Sequence, residues 1–312
     1  MEQRNKNIIL LVSLSVLSLI SIALLVSGNS STEEIDATLF RLADPKTVDK
    51  VTFERIGGNV ELQFSNSRWR VNGVHEADAD LIDVLFATVA QVVPKREVAS
   101  RLRDSIASQV LQSGIKVSFF TGAAIQKEFY VFGQGEGSQT YFLDRENKVP
   151  YVMAIPGYKV YVAGIFEQDS STWRDKRIFS FNWRNFNELS AEFPRDTKQN
   201  FTVAMTGRYF SIVGETNIDT TALNNYLDAI SLIRADAFYK QGASPKADSV
   251  SQSSPIMVIR VKDVASQTFT LQLFEIGQGE RNALAKWNDD FVWFDRRNIL
   301  QVYKKKKDFV KR

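Results

Sequence analysis

Hydrophobic and polar positions along this chain follow two distinct periods, separated near residue 30. From Ile8 to Val26 no charged residue occurs, and the run reads IILLVSLSVLSLISIALLV. As a helix rising about 1.5 Å per residue it is about 28 Å long, close to the roughly 30 Å core of a bilayer. Ser13, Ser15, Ser18 and Ser21 fit such a helix, because each hydroxyl can bond back to the preceding turn. Arg4 and Lys6 precede the run, so the amino terminus is expected to stay cytoplasmic while the remainder is exported. A cleaved signal peptide is the competing reading. Its apolar region usually spans about 7–15 residues, and Val26-Ser27-Gly28 makes a weak cleavage site, so an uncleaved anchor is favoured. Residues 1–30 thus read as a cytoplasmic stub and transmembrane anchor, and 31–44 as a tether.

Beyond residue 45 the period changes to short alternating strands punctuated by turns, with a few helices. Val60, Leu62 and Phe64 alternate with polar residues, Ser65-Asn66-Ser67 turns, Trp69 and Val71 resume, and Gly73 stops the pattern. The same pattern returns 141 positions later: Phe201, Val203 and Met205, a turn at Thr206-Gly207-Arg208, then Phe210, Ile212 and Gly214. Ile82, Leu85, Val89 and Val92 recur at helical spacing and match Leu223, Tyr226, Ile230 and Ile233 at that offset. Ile115 and Val117 likewise match Ile256 and Val258. A shared offset through a turn, a glycine and a helix implies an internal duplication. The expected fold class is α+β: an N-terminal transmembrane helix, then two tandem repeats (45–180 and 181–312) of an antiparallel sheet with a packed helix. Expected helices are 78–92 and 219–233, with Asp78 and Asp219 as caps. A further amphipathic helix is expected over 101–113, whereas its counterpart, 241–255, reads as an exposed loop.

Composition adds little that is specific. Apolar residues make up 44% and charged residues 24%, as in folded globular proteins. Net charge is +3 from 39 basic and 36 acidic side chains, which offers no concentrated basic footprint for nucleic acid. There is no cysteine, hence no thiol nucleophile or disulfide framework, and a single histidine, His75, removes multi-histidine metal sites.

Five features could carry chemistry, and a structural reading is stronger for each. Gly133-Gln134-Gly135-Glu136-Gly137, echoed by Gly277-Gln278-Gly279-Glu280, resembles a phosphate loop, but strands lie on both sides and a hairpin turn explains it. His75 has no nucleophile or second ligand placed beside it, and Thr216 replaces it in the second repeat. Asp78, Asp80 and Asp83 suit a helix start better than a calcium loop. Trp69 and Trp293 fall on alternating strand positions, as core residues do. Trp173, Arg174, Arg177, Trp183 and Arg184 form an arginine-aromatic cluster of the kind that interfaces use and are the candidate interaction residues, with packing of one lobe on the other favoured over an external partner. Lys304, Lys305, Lys306 and Lys307 open a basic C-terminal run that reads as a solvated tail, with contact to anionic lipid headgroups as the alternative. No catalytic, cofactor-binding or metal-binding residue is expected, and no cofactor.

The order of these pieces resembles the domain of unknown function 4340 family of bacterial membrane-associated proteins. The carriers are Trp69-Arg70-Val71-Asn72-Gly73, the stretch Pro150-Tyr151-Val152 to Pro156-Gly157-Tyr158, and Trp173-Arg174-Asp175. The resemblance covers roughly residues 40 to 195, and the remainder through the duplication. It brings no catalytic residues. Members are often encoded beside ABC-type transport systems resembling those of gliding motility, which implies an accessory role in the envelope. The chain carries no ATP-binding motif. The expectation is a noncatalytic, single-pass protein of the bacterial inner membrane, N-terminus cytoplasmic and main domain periplasmic or extracytoplasmic. Its expected partners are the membrane and other envelope or ABC-transporter subunits. The alternative is a ligand-binding module for glycan, peptide or lipid with a site between the two lobes.

Overall fold

The computed structural model of the chain describes residues 13–22 and 35–311, apart from 136–138, 147, 180, 182, 183 and 208. Residues 13–22 form a helix, α1, with every position exposed. The rest of the apolar run expected to span a membrane, 8–12 and 23–26, lies outside the described residues. Among the described residues no helix is long and apolar enough to cross a membrane.

From residue 45 the chain is α+β, and its described residues form seventeen strands in two antiparallel sheets of nine and eight strands. The first sheet takes β1 (Lys50–Glu54), β2 (Val60–Ser65), β3 (Arg68–Val71), β4 (His75–Glu76), β5 (Val93–Glu97), β6 (Ile115–Thr121), β7 (Ala124–Gly133), β8 (Thr140–Asp144) and β9 (Pro150–Ala154). Helices α2 (Ala79–Gln91) and α3 (Ser100–Ser113) lie on either side of β5 in the chain. The second sheet takes β10 (Phe186–Glu192), β11 (Phe201–Thr206), β12 (Tyr209–Ile212), β13 (Ala237–Phe238), β14 (Met257–Asp263), β15 (Thr268–Leu273), β16 (Asn282–Trp287) and β17 (Asp290–Asp295). Its helices are α4 (Thr220–Leu232), α5 (Pro245–Ser251) and α6 (Arg296–Val302).

By contacts the chain divides into two compact units, one running to Asn59 and over Asp83–Glu167, the other over Val60–Ile82 and Gln168–Arg312. In the first unit the strand order is β1-β6-β7-β8-β9-β5. In the second, β4-β3-β2 form a ribbon, and the eight-stranded sheet runs β12-β11-β10-β14-β15-β16-β17-β13. The two sheets therefore repeat one topology, with β10-β14-β15-β16-β17-β13 answering β1-β6-β7-β8-β9-β5 and β12-β11 answering β3-β2.

Register repeats as well. Leu62 pairs with Val71 and Phe64 with Trp69, and 141 positions on Val203 pairs with Ile212 and Met205 with Phe210. The offset is not constant, however. Val51 opposes Phe119 as Leu189 opposes Val261, so β1 corresponds to β10 at a smaller offset. The cause is the loop ahead of the next strand, which runs over 55–59 in the first repeat and over 193–200 in the second. At β14 the register slips by one the other way. Met257 and Ile259 join the core of the second unit, rather than the expected Ile256 and Val258, with Ile256 only packed against its edge. Loops absorb such insertions because they carry few contacts.

Each repeat buries one stripe of its main helix. Ile82, Leu85, Val89 and Val92 are all buried, and so are Leu223, Tyr226, Ile230 and Ile233. Asp219 caps α4 by accepting the Ala222 amide at 3.0 Å, and Asp78 accepts the Asp80 amide at 3.0 Å. These contacts satisfy amides that a helix start leaves without partners. In the first unit Phe40, Phe129, Phe142 and Phe166 pack together, with Phe129 and Phe142 stacked at 4.8 Å. In the second a large core gathers residues from Ile178 to Phe309, and a smaller cluster forms around Tyr239, Ala247 and Leu284.

Three expectations need correction. Residues 241–255 are not merely a loop, because Pro245–Ser251 is helical. Ser244 caps it through the Ala247 amide at 3.4 Å, Pro245 begins it, and Asp248 is held by the Tyr239 hydroxyl at 2.8 Å. Trp69 and Trp293 are half-buried rather than core residues, Trp69 lying against Phe64 with ring centroids 5.6 Å apart. The basic C-terminal run is docked rather than solvated. Phe309 is 2% exposed, with its ring 5.2 Å from both Phe201 and Tyr226. Burial of that ring, worth about 1.5–3 kcal/mol, acts together with backbone bonds to Asn217 and Asp219 and with the Lys305 and Lys306 ion pairs to hold the run.

Candidate functional site

Three of the candidate interaction residues, Trp173, Arg174 and Arg177, are held between two short lengths of backbone in the second unit. On one side, Ala77 bridges Arg174, the Asp78 amide donates to the Trp173 carbonyl at 2.8 Å, and the Asp175 amide donates to the Glu76 carbonyl at 2.8 Å. On the other, Arg177 bridges Arg234, the Ala235 amide donates to Lys176 at 2.9 Å, and the Ile178 amide to Ile233 at 3.2 Å. Residues 173–178 thus form a strap with partners along both edges. Trp173 anchors it and is fully buried.

The charges on this strap are matched to carboxylates. Arg174 pairs with Asp290 at the start of β17, and its guanidinium lies 3.7 Å above the Phe238 ring, which combines an ion pair with a cation–π contact. Arg177 pairs with Asp175 at 2.7 Å, and that hydrogen bond raises the guanidinium above its usual value. Arg234 reaches Asp78 at 2.6 Å and Asp80 at 3.4 Å, while Arg68 reaches Glu76 at 2.7 Å. His75 is a member of β4, opposite Val71. Burial and then the nearby Arg174 cation lower its pKa from 6.5, with Asp290 opposing. Four guanidiniums and five carboxylates so arranged hold backbone segments together. Each named cation already has a carboxylate, so the arrangement fixes the strands it joins.

Of the sequence candidates, Trp173, Arg174 and Arg177 are brought together. Arg184 is exposed, beyond the strap, and Trp183 lies outside the described residues. Lys305 and Lys306 pair with Asp196 at 3.2 Å and Glu215 at 3.1 Å, and so help to dock the C-terminal run. Asp290, Arg234 and Phe238 were missed. They are far from the strap in sequence, and no local pattern marks them as its partners.

The C-terminal run is itself the counterpart of the strap. Ile218 bridges Val310 as Ala77 bridges Arg174. The Asp219 amide donates to Phe309 at 2.7 Å, as Asp78 does to Trp173, and the Lys311 amide donates to Asn217 at 3.0 Å, as Asp175 does to Glu76. Phe309-Val310-Lys311 therefore does in the second repeat what Trp173-Arg174-Asp175 does beside α2.

Packing accounts for the first glycine of the loop. A Cβ on Gly133 would stand 1.7 Å from the Tyr161 hydroxyl, which donates to Glu167 at 2.6 Å. Burial and then that carboxylate push the Tyr161 pKa up to about 12. At Gly277 the nearest atom is the Glu280 side chain at 3.0 Å, so the second copy is less confined.

Fold and site together define an α+β protein of two topologically matching antiparallel sheets, with an aromatic strap set beside the capped main helix of each repeat. The chain belongs to the family described as Domain of unknown function (DUF4340), whose model matches residues 69–252, more than half of the chain. That match begins at Trp69 and takes in all three segments that carried the resemblance. No characterised protein and no solved structure matched it.

Proposed function

We propose that this protein is a noncatalytic, membrane-anchored envelope protein that serves as an accessory or scaffold subunit of a membrane complex. The observation that carries the reading is helix α1. Leu14, Val16, Leu17, Leu19, Ile20 and Ile22 are between 49% and 66% exposed, so apolar side chains face outward all round a helix with no protein cover. Such a surface suits lipid rather than water. With Arg4 and Lys6 before the run, the two-sheet part lies on the extracytoplasmic side of the bacterial inner membrane in this reading. The paired charges of the strap support a role in holding and contacting rather than in catalysis. Family membership favours an ABC-type transport system of the gliding-motility kind as the complex.

The test is a crosslinked pull-down in mild detergent with the full-length protein, beside a version lacking residues 1–30. Transporter subunits recovered with the full-length bait, and lost on truncation, are the expected result. Recovery of the bait alone in repeated preparations contradicts the reading.

A further inference from the structure

Tyr226 packs its ring against Phe309 and carries a polar atom into the core of the second unit. It lies on α4 at the place that Leu85 takes on α2, and is 3% exposed. Its hydroxyl is buried and has no hydrogen-bond partner among the described residues. Native cores rarely tolerate such a group without a reason, since the phenol loses its bond to water and gains nothing in return. Leucine would fill the same place without that cost, as it does in the first repeat.

Tyr226 also lines a cleft of about 390 Å³. This is at the small end of the roughly 300–1,000 Å³ that small-molecule sites occupy. From α4 the cleft takes Asn225, from α6 Gln301, and from the C-terminal run Lys304 and Asp308. Ala222, Ala229 and the Phe309 ring supply its apolar part. Lys304, unlike Lys305 and Lys306, forms no ion pair among the described residues, and one Asp308 oxygen accepts the Lys305 amide at 2.8 Å.

We propose that this cleft binds a single sugar ring, with the Tyr226 hydroxyl bonded to one of its oxygens. The chemistry selects that class. Lys304 and Asp308 cancel in charge, so neither an anion nor a cation is favoured. Two primary amides offer donors and acceptors side by side, which is what vicinal hydroxyls need. The alanines and the Phe309 ring suit the C–H face of a pyranose. The phenol oxygen is buried, so side chains that line the cleft must shift as the sugar enters. The site is confined to the second repeat, because Leu85 cannot make the bond, and it is independent of the membrane reading.

The experiment titrates the full-length protein in detergent with glucose and with N-acetylglucosamine, following ligand-observed NMR, with glycine and inorganic phosphate as controls. A saturable response to at least one sugar is expected, weakened about tenfold in Tyr226→Phe, the size of one hydrogen bond. The same variant without ligand is expected to melt no lower than the parent, since it removes an unsatisfied group. No saturable response to either sugar overturns the proposal. So does an equal or stronger response to glycine or phosphate, or a sugar affinity that Tyr226→Phe leaves unchanged.

Discussion

Trp173 and Phe309 occupy equivalent places in the two repeats, and the residues that follow them make those places different. After Trp173 come Arg174 and Asp175, which enter ion pairs, and then Lys176 to Ile178, which gain a second backbone edge at Ile233 to Ala235. After Phe309 come Val310 and Lys311, which among the described residues make one backbone edge, at Asn217 to Asp219. The first strap is therefore clamped from both sides and by charge. The second depends on its aromatic anchor and on two lysine pairs upstream. One architecture tolerates both solutions because the aromatic ring and the helix cap are what it requires.

The largest effect should follow from removing the anchors. Trp173→Ala and Phe309→Ala are each expected to cost about 3–5 kcal/mol in urea unfolding, the range for deleting a buried aromatic ring. Equal losses would show that the anchors matter alike. A loss under about 1 kcal/mol for Phe309→Ala would show that the second strap is held by its lysines instead.

Next in size is the contrast between the glycine loops. Gly133→Ala is expected to cost about 1–3 kcal/mol, because its Cβ meets the Tyr161 hydroxyl, whereas Gly277→Ala meets only a flexible Glu280 side chain. Thermal melts of the two variants decide this, and equal losses would remove the distinction.

The charged strap makes a smaller, pH-dependent contribution. His75 is the only histidine in the chain, so its imidazole signals in proton NMR need no assignment. Its titration midpoint is expected below 6.5. A base depressed in the fold is protonated first in the unfolded chain, so stability falls as pH drops through about 6.5. Arg174→Gln should raise the midpoint, and Asp290→Asn should lower it further. The reverse order would mean that His75 does not sense this pair.

The smallest effect belongs to the lysines. Lys305→Gln and Lys306→Gln should each cost less than about 1 kcal/mol, as partly exposed ion pairs do. They should leave the Trp173 strap unaffected in hydrogen exchange.

Much of this fold was legible because it is written in local periods. Leu62, Leu85, Val203 and Ile230 mark strands and helices by alternation or helical spacing alone, and both helix caps follow from one aspartate each. Short elements were not legible. Strand β4 is a pair, His75 and Glu76, and β13 is Ala237 and Phe238, too short to show any period. Of the site, Trp173, Arg174 and Arg177 stood out by composition, but their partners Asp290 and Arg234 are set by tertiary pairing that no local pattern encodes. The C-terminal run departs from the solvated tail its composition suggests, because lysines dominate that composition while Phe309, a single residue, carries the buried ring.

The account rests most on the anchor, and alkaline carbonate extraction of cell membranes, combined with protease added from the extracytoplasmic side, tests it directly. The full-length protein should stay in the membrane pellet and lose its two-sheet part to the protease, while a chain lacking residues 1–30 should be released. Full-length protein in the carbonate supernatant, or a two-sheet part that the protease never reaches, would contradict the account.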